Sequence, residues 1–303
     1  MYVVDMHCDS LSLVSGERGL VNSYNFTQKN PQLQFCAHFS ERGDRPAEAR
    51  RAELMRAFNV YLSECERLGI EKIAGSRDLF SVTDEAVSSA LFTVEGGGGL
   101  FASSRELDAL LRSGLLGVFG LAWDTNELAA SAWDENDTGL TEEGRKLVAK
   151  LCASGVTIDV SHLSDKSFCE LFEISPYPHI ATHSNFREVC PSRRNLTRDM
   201  ARKISERGGV VGINLYPGFL SESDAGLSDI LRHIDYGLDV LGEDYIGFGF
   251  DIDGTDGKYP KGINIDSSIH EQVIDLLLSH YSTTTVEKIA GLNVINFLKS
   301  NLI

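Results

Sequence analysis

The sequence predicts an α/β fold, a (β/α)8 TIM barrel, on three observations. Short apolar or β-branched runs alternate with amphipathic helical stretches along the chain. There are eight such runs, and eight parallel strands with helical crossovers close into a barrel without an edge. These elements nearly use up the 303 residues, which predicts one domain over residues 1–303. A doubly wound open sheet is the alternative.

The elements follow from the spacing of apolar residues. The predicted strands are residues 2–7, 34–39, 90–95, 117–123, 156–161, 179–183, 210–216 and 245–251. The predicted helices, several of which open on a Ser or Thr cap, are residues 46–68, 104–113, 141–154, 164–172, 197–207, 227–241, 267–280 and 284–298.

Charge and composition restrict the classes of binding partner and the cellular compartment that the protein can be expected to have. The formal net charge is −16, which argues against nucleic acid and against an anionic membrane surface, and favours a small molecule or another protein as the partner. The longest nearly apolar run, residues 114–123, is too short to span a bilayer, and the start of the chain shows no export signal. The six cysteines form no Cys-x-x-Cys pair, which predicts a cytoplasmic protein.

Histidines and carboxylates recur where the predicted strands end. In a barrel these ends meet on one face, where active sites of this fold are built. Imidazole and carboxylate groups are ligands of Zn²⁺ and similar ions, and six exceed the needs of one tetrahedral site. We therefore expect two metal ions that share a ligand. The candidate ligands are three histidines and three carboxylates, namely His7, Asp9, Glu95, His162, His183 and Asp251.

The first two candidates, His7 and Asp9, are two residues apart, so on an extended segment they point the same way while Cys8 points oppositely. The glycines at 96–99 lack the Lys-Ser/Thr of a phosphate loop, and we expect them to turn the backbone and leave room for ions. The segment GFGFD at 247–251 is no dinucleotide fingerprint, and its glycines are expected to relieve crowding. The remaining histidines are expected to be satisfied or solvated: His38, His179, His233, His270 and His280.

Seven segments, in order from the first predicted strand to the last, carry a family resemblance. They are DMHCD at 5–9, VEGG at 94–97, DVSHLS at 159–164, THSN at 182–185, VCPSRRNL at 189–196, NLYPGF at 214–219 and GFGFDIDG at 247–254. With them the chain resembles the membrane dipeptidase (renal dipeptidase) family of binuclear zinc metallopeptidases, within the amidohydrolase-like barrels.

This resemblance implies roles for the site residues. It implies that two Zn²⁺ ions bind per chain: His7 and Asp9 hold the first, His162 and His183 hold the second, and Glu95 bridges both. Asp251 matches the catalytic acid/base beside the metals. Arg194 matches the arginine that receives the substrate carboxylate, and Tyr216 matches a tyrosine that lines the same pocket. A planar guanidinium suits a carboxylate, and a carboxylate near two cations stays ionised.

One segment departs from the family. Where its animal members carry a His after the fourth strand, this chain reads LAWDTN at 121–126, so Trp123 takes that place in the substrate pocket. An indole N–H donates one hydrogen bond but cannot titrate, which removes a charged stabiliser and suggests a different substrate pocket.

The function expected from these features is a zinc-dependent dipeptidase in which a metal-bridged hydroxide attacks the amide of a small dipeptide, including dipeptides with a D-residue at the C-terminal position. The alternatives are a binuclear metal amidohydrolase acting on another small amide, lactam or N-acyl amino acid, and a catalytically silent binding protein. A homodimer is compatible with the sequence.

Overall fold

The computed structural model describes residues 1–11, 32–39, 45–79 and 88–302. The strands are β1 (Val4–Cys8), β2 (Leu33–Phe39), β3 (Glu71–Lys72), β4 (Ser89–Glu95), β5 (Leu116–Gly120), β6 (Thr157–Asp159), β7 (Val211–Ile213) and β8 (Ile246–Phe248). All strand pairings are parallel, in the order β6-β5-β4-β2-β1-β8-β7, and the short β3 pairs with the start of β4.

The segment between β6 and β7 closes this sheet into a ring. Ile180 forms a parallel bridge with Asp159 at the end of β6, and Ala181 forms another with Val211 in β7. Backbone hydrogen bonds of 2.8 Å run from Val160 N to Ile180 O and from Gly212 N to Ala181 O. The predicted barrel is therefore confirmed, and the open sheet is wrong. The predicted sixth strand is reduced to these two bridging residues.

Helices follow the strands as crossovers. They are α1 (Ala47–Leu68), α2 (Arg105–Ser113), α3 (Glu142–Ala153), α4 (Asp165–Ile174), α5 (Arg198–Glu206), α6 (Pro217–Leu220), α7 (Leu227–Leu241), α8 (Ile269–Leu278), α9 (Thr283–Glu287) and α10 (Asn293–Asn301). The predicted side-chain caps are present on three of them, where Thr141, Ser164 and Thr197 accept backbone N–H groups.

The predicted final helix is interrupted. A π-helical turn, Lys288–Leu292, separates α9 from α10. Gly291 in this turn lies so close to β1 that an added Cβ would be 2.7 Å from the carbonyl oxygen of Tyr2. A tertiary contact therefore accompanies this irregularity, as is common for π turns.

The first residues of the strands pack on the C-terminal helix. We call this group the floor cluster, and its buried members include Val4, Met6, Phe35, Leu91, Val118, Ile180 and Val210 from the barrel with Val294, Ile295, Phe297 and Leu298 from α10. The larger apolar cluster joins the strands to the surrounding helices. The larger cluster reaches the last residues of several strands, but β4 and β6 end in the carboxylates Glu95 and Asp159. No helix in the described ranges has the length and apolarity needed to cross a bilayer.

Candidate metal centre

The six candidate ligands converge at the carboxyl-terminal ends of the barrel strands. His7 lies within β1 and Asp9 directly after it, while Glu95 is the last residue of β4. His162 and Asp251 follow β6 and β8 after short turns, and His183 follows the bridging pair that closes the ring. All six are at most 9% exposed. The fold thus places these side chains in one buried group, which we call the mouth cluster.

One half of the mouth cluster surrounds the Nε2 atom of His7. That nitrogen lies 3.6 Å from Asp9 Oδ1, 3.6 Å from Glu95 Oε2 and 3.7 Å from Asp251 Oδ1. These distances are too long for direct hydrogen bonds but suit ligand atoms arranged around a common ion. Three carboxylate oxygens and one imidazole nitrogen therefore face a single point.

The other half surrounds the second oxygen of Glu95. Its Oε1 atom lies 2.6 Å from His162 Nε2 and 3.2 Å from His183 Nε2, and the two imidazole nitrogens are 2.9 Å apart. Each oxygen of the Glu95 carboxylate thus faces a different group. This is the arrangement that a carboxylate bridging two cations requires.

Buried polar atoms without hydrogen-bond partners indicate whether the mouth cluster is suited to bind cations. Three facing atoms are buried without a hydrogen-bond partner: His7 Nε2, Asp9 Oδ1 and Glu95 Oε2. Leaving such groups unpaired is costly, whereas divalent cations accept the lone pairs of imidazole and carboxylate. The donor set, the burial and the shared Glu95 carboxylate all fit two divalent ions.

The titration behaviour of the mouth cluster agrees with that fit. Burial raises the pKa of Glu95 well above its ordinary value, and Asp9 and Asp251 add to the rise. Burial likewise raises the pKa of Asp251 to about 6. Burial acts to lower the pKa of His7, but the three carboxylates outweigh it and hold that pKa well above its ordinary value. Three buried carboxylates facing one another need nearby positive charge to remain ionised.

Burial lowers the pKa of both His162 and His183 well below their ordinary values. Both imidazoles are therefore neutral near pH 7, which is the form that ligates metals. The carboxylates lie on one side of Glu95 and the neutral imidazoles on the other, so the two halves of the mouth cluster differ in charge.

The backbone departs from regular strand geometry at several of the candidate ligands, and this helps to orient their side chains. The pairing of β1 with β2 shifts register between Asp5 and Cys8, so a bulge lies under His7. His162 and Asp251 adopt positive φ values of 69° and 60°, which are uncommon for residues other than glycine. Such strain is concentrated at functional sites.

A hydrogen-bonded relay orients His183. The Thr182 hydroxyl donates to Asp159 Oδ2, and His183 Nδ1 lies 2.8 Å from the same hydroxyl oxygen. Because the hydroxyl proton is committed to the carboxylate, its oxygen accepts from Nδ1–H, which leaves the Nε2 lone pair facing Glu95. Metal-binding histidines characteristically donate their other ring nitrogen in this way.

Asp5 and Asn214 provide further support. The Asp5 carboxylate accepts the backbone N–H groups of His7 and Phe250 and lies 2.8 Å from Nε2 of buried His270. It therefore ties β1 to the segment that leads to Asp251. Asn214 Nδ2 donates to Asp251 Oδ2 at 3.0 Å, which leaves Oδ1 facing His7.

The glycines near the site only partly match expectation. Gly96, at a φ of 68°, turns the chain after Glu95, but the next two glycines make room for Phe119 and Arg50 rather than for ions. Gly254 lies beside the mouth cluster, because a Cβ there would overlap Asp251 Oδ1 and Asp9 Oδ2. The glycines of the 247–251 segment do relieve crowding: a Cβ at Gly249 would overlap the carbonyl oxygen of Thr182.

Arg194 is buried beside the mouth cluster. Its Nη1 donates to Ser184 Oγ and its Nη2 to the carbonyl oxygen of His183, at 3.0 and 3.1 Å. Its Nε is buried and has no hydrogen-bond partner within the described ranges. Of the five N–H groups of a guanidinium, three therefore remain for an anion.

Trp123 and Tyr216, the two aromatic residues predicted to line the substrate pocket, lie in different places: Trp123 beside the mouth cluster and Tyr216 beyond Phe219. The Trp123 ring centroid is 6.4 Å from that of His162 and 5.4 Å from that of Phe39, so Trp123 flanks the second half of the mouth cluster. Half-buried Tyr216 packs on Phe219 at 4.7 Å, and the Arg194 guanidinium lies 5.7 Å from the Phe219 centroid. Phe219 thus stands between Tyr216 and Arg194.

Some interactions escaped the sequence reasoning. Asp159, Thr182 and Asn214 lie inside the segments that carry the resemblance, but nothing in the sequence assigns their hydrogen bonds. The histidine expectation holds for His270, which pairs with Asp5. It is wrong for His179, which is 1% exposed and has no hydrogen-bond partner on either ring nitrogen within the described part of the chain.

A closed parallel barrel with buried imidazoles and carboxylates gathered at its carboxyl-terminal mouth is the arrangement of a metal-dependent hydrolase. The model of one family within this class, the membrane dipeptidase family (peptidase family M19), matches residues 1–301. The chain belongs to that family and is a metallopeptidase.

Individual relatives agree with this placement. An uncharacterized protein in the pqqA 5′ region of Klebsiella pneumoniae is 31% identical over 235 residues, which cover 74% of this chain and 86% of that protein. The crystal structure of the metallopeptidase dipeptidase AC is 26% identical, with a TM-score of 0.88 and coverage of 99% of this chain and 98% of that chain.

A metallopeptidase from Rhodobacter sphaeroides, solved with a phosphinate mimic of the dipeptide L-Ala-D-Ala, is 25% identical, with a TM-score of 0.87 and coverage of 99% of both chains. Five further relatives, all of them named as dipeptidases, are longer, and the matches span 29% to 44% of their length.

Proposed function

We propose that this protein is a zinc-dependent dipeptidase that hydrolyses the amide bond of small dipeptides and accepts a D-residue at the C-terminal position. Its membership of a metallopeptidase family supports the reaction class. The Rhodobacter sphaeroides relative, bound to a mimic of L-Ala-D-Ala, supports both the length and the configuration of the substrate.

Two Zn²⁺ ions would occupy the two halves of the mouth cluster. His7, Asp9 and Glu95 would hold the first, and Glu95, His162 and His183 would hold the second. These are two of the three overlapping groups of ligand atoms in the described residues, and the third group is His7, His183 and Asp251. Bound there, the ions supply a water of lowered pKa as hydroxide nucleophile and polarise the carbonyl of the scissile amide.

Buried Arg194 carries the substrate assignment. Its guanidinium keeps three free N–H groups and is hydrogen-bonded to the carbonyl oxygen of His183, one of the candidate ligands. A carboxylate on Arg194 is therefore held close to the reacting amide. This spacing favours dipeptides, because their C-terminal carboxylate lies one residue from the scissile bond.

Asp251 is the proposed acid/base. Its Oδ2 accepts from Asn214, while its Oδ1 points toward the first half of the mouth cluster. The fixed Oδ2 leaves Oδ1 to take a proton from the nucleophile and return it to the leaving amine. Proton transfer by a positioned carboxyl group of this kind contributes about 10²–10⁴-fold to a rate.

N-acyl amino acids are a second candidate substrate class. Arg194 recognises the carboxylate end only, and a dipeptide and an N-acyl amino acid share that end. Trp123 adds a bulky apolar surface beside His162, which suits an acyl group as well as an amino-acid side chain.

We also propose a cytoplasmic location, which the six free cysteines support.

The test compares L-Ala-L-Ala and L-Ala-D-Ala with their C-terminal amides and with N-acetyl-alanine, using the zinc-loaded enzyme. We expect the free acids to exceed the amides in kcat/KM by at least about 100-fold, because a desolvated guanidinium left without its anion is costly. Arg194→Met should abolish this preference, whereas Arg202→Met, on the exposed face of α5, should retain it. Equal hydrolysis of acids and amides by the unaltered enzyme would contradict the assignment.

A further inference from the structure

An exposed indole lies at the mouth of the barrel. Trp133 is 51% exposed, although tryptophan is normally largely buried. It lies in the segment between β5 and α3, among polar residues, and the proposed reaction gives it no role. An exposed aromatic ring next to a buried polar site is a common element of ligand pockets.

Two hydrogen bonds to backbone carbonyl oxygens hold the segment of this residue beside the candidate centre. Ala132 N donates to the carbonyl oxygen of His162 at 2.7 Å. On the other side, Arg193 Nη2 donates to the carbonyl oxygen of Asp134 at 3.0 Å. Trp133 is therefore held between a candidate metal ligand and the residue that precedes the substrate-binding Arg194.

The ring of Trp133 continues the surface that begins at Arg194. Its centroid lies 6.3 Å from that of Phe219, and the Phe219 ring is in turn 5.7 Å from the Arg194 guanidinium carbon. We call Trp133 and Phe219 the aromatic wall. It runs from the buried guanidinium to solvent, and Tyr216 supports it from behind Phe219.

The covalent structure of the dipeptide determines which of its groups contacts the aromatic wall. The carboxylate and the side chain of a C-terminal residue are attached to the same Cα atom. When the carboxylate is bound to Arg194, the side chain therefore begins close to a guanidinium that lies 5.7 Å from the Phe219 ring, and it can extend along Phe219 toward Trp133. A methyl group covers little of the wall, whereas a phenyl or isobutyl group covers both rings.

We propose that the aromatic wall is a specificity site for large apolar or aromatic side chains at the C-terminal position of the dipeptide. This inference rests on the proposed function and names its substrate class. Burial of a large apolar side chain, relative to glycine, corresponds to a preference of about tenfold or more. Because the contact exists before and during the reaction, the preference is expected in KM rather than in kcat.

The experiment measures kcat and KM of the zinc-loaded enzyme for L-Ala-Gly, L-Ala-Ala, L-Ala-Leu and L-Ala-Phe, with the last three in both C-terminal configurations. We expect kcat/KM for the Leu and Phe dipeptides to exceed that for L-Ala-Gly by about tenfold in at least one configuration. Trp133→Ala should reduce that ratio toward one by raising KM for the large substrates, and Trp133→Phe should restore most of it.

Tyr177→Ala is the matched control. Tyr177 is 52% exposed, much like Trp133, but it precedes the bridging pair Ile180 and Ala181 and so lies toward the other end of the barrel. In Tyr177→Ala, the ratio of kcat/KM for the Leu and Phe dipeptides to kcat/KM for L-Ala-Gly should equal that of the unaltered enzyme. Hydrolysis with a flat substrate profile, or a profile unchanged in Trp133→Ala, would overturn this inference and leave the dipeptidase proposal standing. Failure to hydrolyse any dipeptide would overturn both.

Discussion

The mouth cluster and the floor cluster lie at opposite ends of the same strands and are stabilised in opposite ways. In the floor cluster, apolar side chains such as Phe35 and Val294 are buried against one another with no polar atom to satisfy. In the mouth cluster, Glu95 faces two other carboxylates, and several facing atoms lack hydrogen-bond partners. The floor adds to stability, whereas the mouth reduces it until positive charge binds there.

The largest expected effect comes from Glu95→Gln. The amide cannot bridge two cations, so we expect the metal content to fall below two per chain and kcat/KM to fall by about 1,000-fold or more. The same change removes a buried negative charge, so the metal-free variant should unfold at the same or a higher urea concentration than the unaltered metal-free protein.

Metal analysis, peptidase assays and urea titration measure these outcomes. Glu142→Gln is the control, because that carboxylate is 77% exposed at the start of α3 and should change none of the three quantities. A metal-free Glu95→Gln protein that is clearly less stable than the unaltered protein would break the comparison, because the mouth would then contribute to stability on its own.

Phe35→Ala, in the floor cluster, is expected to have the opposite effect to Glu95→Gln: it should lower stability and leave the metal site intact. Phe35 is fully buried, and truncation of a core phenylalanine lowers the free energy of unfolding by about 3–5 kcal/mol. We expect a loss of this size in urea titration, together with an unchanged metal content and an unchanged KM in the fraction that remains folded. A loss of metal at a temperature where the variant is folded would show that the two clusters are coupled.

His179 is a buried polar residue that directly precedes Ile180 of the floor cluster, and it gives the smallest effect. Burial lowers its pKa to about 3, so the folded protein keeps this imidazole neutral while the unfolded chain protonates it near pH 6.5. Its contribution to stability is therefore lost as the pH falls from about 6.5 toward about 3, by at most about 1.4 kcal/mol per pH unit.

His179→Leu removes this proton uptake. The metal-free variant should lose less stability than the unaltered protein between pH 6.5 and pH 4.5, as measured by urea titration at several pH values. Identical slopes for the two proteins would show that His179 does not stay neutral in the folded state.

The barrel was predictable from the sequence because the same pattern repeats around it: a short apolar run that forms a buried strand, followed by an amphipathic helix. The sixth position was predicted as a full strand but keeps only Ile180 and Ala181, because Thr182 and His183 leave the ladder to form the relay with Asp159. The π-helical turn before α10 was not predictable, since it depends on the close approach of Gly291 to Tyr2 in a distant part of the sequence.

The candidate ligands were predictable because strand ends meet at one face and because the spacing of His7 and Asp9 is regular. Only the family resemblance implied their partition between two groups. The residue pattern alone did not give it, because the partition depends on the register shift in β1 and on the positive φ values of His162 and Asp251. Trp133 escaped prediction for a similar reason. Only the folded segment, through the bond of Ala132 to the His162 carbonyl, brings its ring to Arg194 and Phe219.

The bridging role of Glu95 is the central claim, and anomalous X-ray scattering at the zinc edge tests it most directly. Crystals of the zinc-loaded protein should show two peaks in the mouth cluster, one within about 2.0–2.2 Å of each oxygen of the Glu95 carboxylate. The first should also contact His7 and Asp9, and the second His162 and His183. A single peak, or two peaks that do not share Glu95, would contradict the account.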